Sequence, residues 1–123
     1  MPSARRQSMA YTLYGIKACD TMKKARAWLE QRPTQYHFHD YKTQGIDRAH
    51  LTRWCEEHGW QTVLNRAGTT FRKLADAQKA DLDQARAIEL MLAQPSMIKR
   101  PVLDLGDTTL IGFKPELYAA AIQ

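Results

Sequence analysis

Two spacings of apolar positions alternate along the chain, and each switch between them predicts a boundary. Ala10 to Tyr14 is short, aromatic-rich and free of breakers, as suits a strand entering a core, and Gly15 ends it. After the loop Gly15-Ile16-Lys17-Ala18-Cys19, the residues Met22, Ala25, Trp28 and Leu29 recur at the spacing of one helix face. They predict a helix from about Asp20 to Gln31, with Pro33 beyond it as a stop. Tyr36 to Tyr41 alternates as a second strand does. A strand, a helix and a strand in such close order favour a parallel pair joined by a right-handed crossover.

Past Gly45 the helical period takes over. Asp47 is placed to cap a helix carrying Leu51, Trp54 and Cys55 on one face and ending at His58, before Gly59. Thr69 or Thr70 would cap a short helix through Leu74. Asp81 would cap a longer one, with Leu82, Ala85, Ile88, Met91 and Leu92 as its apolar positions before Pro95. Pro101 to Leu105 and Thr108 to Phe113 read as two strands around the turn pair Gly106-Asp107, and a last helix starts at Pro115. The order β-α-β, helical middle, β-β-α predicts an α/β protein. It outlines a thioredoxin-like fold, a four-stranded mixed sheet with flanking helices, carrying an inserted helical lobe at about residues 46–97. Residues 10–123 form a single domain in this reading. The first nine residues, MPSARRQSM, lack apolar periodicity and are read as a flexible tail.

Composition narrows the class without choosing an activity. A chain of 123 residues with 44% hydrophobic and 25% charged residues is globular, not disordered or fibrous. The longest apolar runs, of about five residues, are far short of the roughly 20 that cross a bilayer, so no membrane association is expected. Basic residues outnumber acidic ones by 18 to 13, a net charge of +5, but two of the arginines lie in the tail. The other cations are scattered instead of forming the block that tracks a phosphate backbone, so no nucleic-acid partner is expected. Two cysteines without a secretory apolar run argue against a disulfide-stapled extracellular scaffold and favour the cytoplasm.

One of those cysteines stands where a thiol becomes reactive. Cys19 lies between the first strand and the first turn of a helix, where free N–H groups and the positive end of the helix dipole favour an anion, and Lys17 and Lys23 flank it. A small, partly buried core cysteine is the plain alternative. Asp20 opposes ionisation unless its carboxylate turns away. The run Cys19-Asp20-Thr21-Met22 has no second cysteine at the dithiol spacing, so a mixed disulfide on Cys19 must be resolved by an external thiol. Cys55 shares a face with Leu51 and Trp54 and reads as core. His37 with His39, and Cys55 with His58, have pairwise ligand spacings, but nothing completes a zinc set, so no metal is expected. Trp54 and Trp60 read as packing aromatics, and Lys23-Lys24-Arg26 and Arg72-Lys73 as solvated helix faces.

The run Leu13-Tyr14-Gly15-Ile16-Lys17-Ala18-Cys19-Asp20-Thr21-Met22-Lys23-Lys24-Ala25, followed in order by Ile98-Lys99-Arg100-Pro101-Val102 and Gly112-Phe113-Lys114-Pro115-Glu116, resembles the ArsC/Spx family of arsenate-reductase-like proteins, most closely its YffB branch. The resemblance implies a nucleophilic Cys19 at the head of the first helix and a cis Arg100-Pro101 junction facing it. It also implies an anion site to which Arg100, Arg66, Lys114 and Lys17 would contribute. Arsenate reductases of the family carry arginine where this chain has Lys114, and an Asn-Pro loop where it has Gly15-Ile16-Lys17-Ala18. Lysine lacks the bidentate fork of arginine, which favours a thiol reductase over an arsenate enzyme. Glutathione is the implied co-substrate, with a small-molecule or protein disulfide as its partner and the chain acting as a monomer. The alternative implied by the resemblance is an Spx-like regulator that binds RNA polymerase without turnover.

Overall fold

The computed structural model describes residues 11–17, 19–32 and 35–122; the N-terminal nonapeptide and Ala10 lie outside them. The elements are β1 (Tyr11–Gly15), α1 (Asp20–Glu30), β2 (Tyr36–Asp40), α2 (Tyr41–Gln44), α3 (Arg48–His58), α4 (Trp60–Val63), α5 (Thr69–Arg72), α6 (Asp76–Lys79), α7 (Gln84–Ala93), a 3-10 turn (Pro95–Met97), β3 (Val102–Asp104), β4 (Thr109–Ile111) and α8 (Pro115–Ala121). The described residues up to Asp40, together with those from Arg100 onward, make one compact unit; Tyr41–Lys99 make a second.

The first unit is built on a four-stranded mixed sheet in the order β2-β1-β3-β4. β1 and β2 run parallel, with Leu13 opposite Phe38, while β3 is antiparallel to both β1 and β4. Side chains alternate across a strand, so Leu13 and its cross-strand partner Leu103 share a face. That face is covered by α1 and α8: Leu13, Met22, Ala25, Leu29, Leu103, Leu105, Tyr118 and Ile122 form one buried cluster. Met22, Ala25 and Leu29, three of the positions whose spacing predicts this helix, are the buried ones on α1. The β3-β4 hairpin closes through Leu105 N–H donating to Thr108 O at 2.9 Å, and Gly106 takes the positive φ of 106° that the turn demands.

Gly15 governs how closely α1 approaches β1. A Cβ built on it would overlap Met22 Sδ and lie 2.6 Å from Met22 Cε, so only glycine lets the thioether rest there.

Several boundaries differ from the sequence expectation, each for an identifiable reason. Tyr41 does not extend β2; it opens α2 and is fully buried in the second unit. Asp83, not Asp81, caps α7 by accepting from Arg86 N–H at 2.9 Å. Asp81 instead sits at φ 53°, a left-handed turn position that aspartate tolerates. The cap of α5 is Gly68, leaving Thr69 and Thr70 inside the helix. Asp47 does cap α3, accepting from His50 N–H at 2.9 Å. Arg26 is not simply solvated, since its guanidinium lies 4.7 Å above the Phe38 ring and its Nε donates to Tyr36 Oη. Trp54 is fully buried, as a packing aromatic should be.

Tyr118 anchors α8 through edge contacts with Phe113 and Trp28, at centroid distances of 4.9 and 5.5 Å. Its hydroxyl is buried with no hydrogen-bond partner among the described residues, and burial pushes its pKa upward. Tyr118→Phe is therefore expected to match or exceed the parent in unfolding free energy, by up to about 1 kcal/mol, whereas Tyr118→Ala loses about 3–5 kcal/mol. Urea denaturation measures both, and a clear loss in the phenylalanine variant would show that the hydroxyl has a partner.

Candidate active site

The loop between β1 and α1 is closed by Cys19 N–H donating to Ile16 O at 3.3 Å. Cys19 then takes the N-cap position of α1 with extended backbone (φ −84°, ψ 133°), and its carbonyl accepts the first helical bond from Lys23 N–H at 3.1 Å. The side chain is half-buried against the core cluster, with one side toward solvent. Its Sγ therefore stands at the head of an 11-residue helix, where unpaired N–H groups and the helix dipole meet.

Five influences act on that sulfur. Partial burial, the largest, opposes ionisation. Against it stand the Met22 N–H, the hydrogen bond and positive charge of the Arg100 guanidinium, and the Thr21 N–H, and together they prevail: the thiol pKa lies below its ordinary value. Sγ closes no full capping hydrogen bond, so the peptide groups act on it as oriented dipoles, and they gain most once it carries charge.

Arg100 reaches the sulfur from the segment before β3. The Arg100–Pro101 peptide is cis, Pro101 is buried, and Pro101 O accepts from Gly112 N–H at 2.8 Å, tying the junction to the end of β4. Of the cations singled out from the sequence, Arg100 is the one whose charge acts on Cys19 among the described residues. Lys17 is exposed in the loop two residues before Cys19, and Lys114 is exposed at the N-cap of α8. Arg66 belongs to the second unit, where its guanidinium lies 5.6 Å from the Trp60 ring. The parts that sequence reasoning did not name individually are the Met22 and Thr21 peptide groups, although their place in the first turn after an N-cap cysteine is enough to find them.

The other cysteine is chemically opposite. Cys55 is 2% exposed on α3, and burial, with a further contribution from the Glu56 charge, pushes its thiol up to about 11. It stays protonated at neutral pH and is a poor resolving nucleophile. Among the described residues, no group of three or more His, Cys, Asp or Glu side chains is placed to hold a metal ion, and no helix is long and apolar enough to cross a membrane.

A cysteine at the head of the first helix of a four-stranded mixed sheet, with an arginine before a buried cis-proline beside it, is the geometry to which known proteins can be compared. The ArsC family model matches residues 14–121. The chain belongs to the ArsC family. A solved structure named "YFFB (PA3664) protein" is 76% identical, covers 93% of this chain and 100% of its own, and superposes with a TM-score of 0.91. An "arsenate reductase (ArsC) related protein" from Brucella melitensis is 54% identical, covering 94% and 97% of the two chains, with a TM-score of 0.74. An uncharacterised Haemophilus influenzae protein is 39% identical over 89% of this chain and 96% of its own. The global transcriptional regulator Spx of Streptococcus mutans is 27% identical, covering 85% and 77%. ArsC membership and these arsenate-reductase-related neighbours confirm the thioredoxin-like fold and place the chain among thiol-oxidoreductase-like proteins.

The two thiols titrate in opposite directions, and linkage follows. Cys19, with its folded pKa lowered, adds stability above its unfolded pKa of about 9, and that gain is lost as pH falls through the lowered folded value. Cys55, with its folded pKa raised, adds stability below about 9 that is lost as pH climbs toward about 11. At pH 7, iodoacetamide should place one adduct, on Cys19, in the folded protein and two in urea, as read by intact mass. Arg100→Ala should move the Cys19 alkylation profile to higher pH by roughly one unit, a tenfold slower reaction on the rising limb. A Cys19 profile with an ordinary thiol pKa, unmoved by the substitution, would remove the site.

Proposed function

We propose that this protein is a glutathione-dependent thiol reductase that acts in the cytoplasm as a monomer, without a metal, using Cys19 as its only redox centre. The observation that carries this reading is the half-exposed Cys19 sulfur at the head of α1, hydrogen-bonded by Arg100 and with its pKa lowered.

The chemistry follows from that sulfur. The Cys19 thiolate attacks the glutathionyl sulfur of a mixed disulfide; the S–S bond breaks, the partner thiolate leaves and takes up a proton, and Cys19 is left bonded to glutathione. A second glutathione thiolate attacks the sulfur now joined to Cys19, releases glutathione disulfide and returns the Cys19 thiolate. The substrate sulfur is reduced, the incoming glutathione sulfur is oxidised, and the glutathionyl sulfur passes from one disulfide to the other. With methionine at position 22 and Cys55 buried and protonated, the second thiol has to come from outside. Arg100 lowers the charge cost of the thiolate both as attacking and as leaving group, and its planar fork suits a glutathione carboxylate. Lys17 and Lys114, in the same unit as Cys19, supply the further positive charge of the anion site in this reading.

Lys114, where arsenate reductases carry arginine, sets arsenate below a disulfide as the substrate. The competing reading, a regulator that binds RNA polymerase, draws on the Spx relatives, but an intramolecular thiol switch at Cys19 would need a second cysteine at the dithiol spacing, where Met22 stands.

A glutathionylated peptide, a low-molecular-weight disulfide and arsenate, each supplied with glutathione, form the discriminating panel. Glutathione disulfide should be released with the peptide or the disulfide as substrate, Cys19→Ser should abolish turnover, and Arg100→Ala should lower kcat/KM about tenfold or more at pH 7. No turnover with any of the three, together with stoichiometric capture of RNA polymerase, would favour the regulator.

A further inference from the structure

The head of α1 is held by a contact that does not involve the reacting sulfur. Met22 is the third helical residue after the Cys19 cap, so one residue supplies both the N–H that favours the Cys19 thiolate and a side chain packed in the core. That side chain is fully buried in the cluster with Leu13, Ala25, Leu29 and Leu103. Its thioether occupies the space a side chain at position 15 would need: a Cβ there would overlap Sδ and stand 2.6 Å from Cε and 3.1 Å from Cγ. Gly15 has an ordinary φ, so its lack of a side chain serves this close approach and not a turn.

The contact joins the last residue of β1 to the first turn of α1, bracketing the loop that carries the sulfur. A group pushed into the gap must displace the end of the Met22 side chain, which is enclosed in the packed core, and Met22 carries that displacement to the first turn of the helix. We propose that Gly15 and the Met22 side chain form a seat that fixes the first turn of α1 against the Cys19 sulfur, which makes Met22 and Gly15 positioning residues for the thiol chemistry.

The inference rests on the reading of Cys19 as the reactive thiol, and its test separates the two. The measurement is the rate of Cys19 alkylation against pH in four proteins: the parent, Gly15→Ala, Met22→Ala and the double variant, each checked for folding by circular dichroism. Gly15→Ala and Met22→Ala should each raise the apparent pKa by about half a unit to one unit, a roughly three- to tenfold slower reaction on the rising limb. The double variant should match Met22→Ala alone, because without the thioether the methyl at position 15 displaces nothing.

A lower melting temperature alone would not produce that non-additive pattern in a titration. If Gly15→Ala fails to fold, Met22→Leu keeps most of the buried volume while removing the thioether over position 15, and it should shift the profile in the same direction. Folded variants whose profiles overlay the parent, or shifts that simply add in the double variant, overturn the seat. An ordinary thiol pKa in the parent overturns the underlying reading of Cys19 instead.

Discussion

A single sulfur half-removed from water and still inclined to ionise is the constraint around which the first unit is arranged. Desolvation penalises a charged thiol, and partial burial is the largest influence on Cys19. What reverses the balance is convergence: two peptide N–H groups from the first turn of α1 and one guanidinium from the segment before β3. The two peptide groups come with the helix start, whereas the guanidinium is brought to Cys19 only by the fold. β1 and β3 must pair in the register that sets Tyr14 opposite Val102, and α1 must lie on the same sheet face as Leu13 and Leu103, before Arg100 and the helix head meet. The fold is, in this sense, the means by which residues 81 positions apart come to share one charge.

Much of this could be read from the residues. The helix positions Met22, Ala25 and Leu29 gave α1 its buried face, the N-cap location of Cys19 gave its chemistry, and Gly106-Asp107 gave the hairpin. Arg100 was reachable only through the resemblance, because no local pattern links it to a cysteine so far upstream. Where local reading failed, the reason was competition between equivalent signals. Asp81 and Asp83 are both good caps, and the choice fell to the one whose carboxylate reaches the N–H three residues on. Tyr41 continued the alternation of β2, yet its burial lies in the second unit, and alternation cannot report which unit a residue joins.

The Gly15–Met22 contact was illegible for a different reason. Glycine at the end of a strand reads as a stop, and methionine at the third helical position reads as core; both readings are correct and neither discloses that the two occupy one space. Such complementarity depends on the distance between backbones, which only the folded structure supplies. The same holds for the contrast between the two cysteines. Sequence places each on a helix, but depth separates a half-exposed sulfur beside a guanidinium from one sealed on α3 with its pKa near 11.

The position that makes Cys19 reactive is also one where cysteine is a poor structural choice. Helices begin best on serine, threonine, aspartate or asparagine, whose oxygen accepts from the first turn, and here the thiol closes no such bond. Serine at the same site would satisfy the open amides of α1 while removing the nucleophile. The inert protein should therefore be the more robust one, and the native chain forgoes part of its folding free energy to keep a sulfur at the head of that helix.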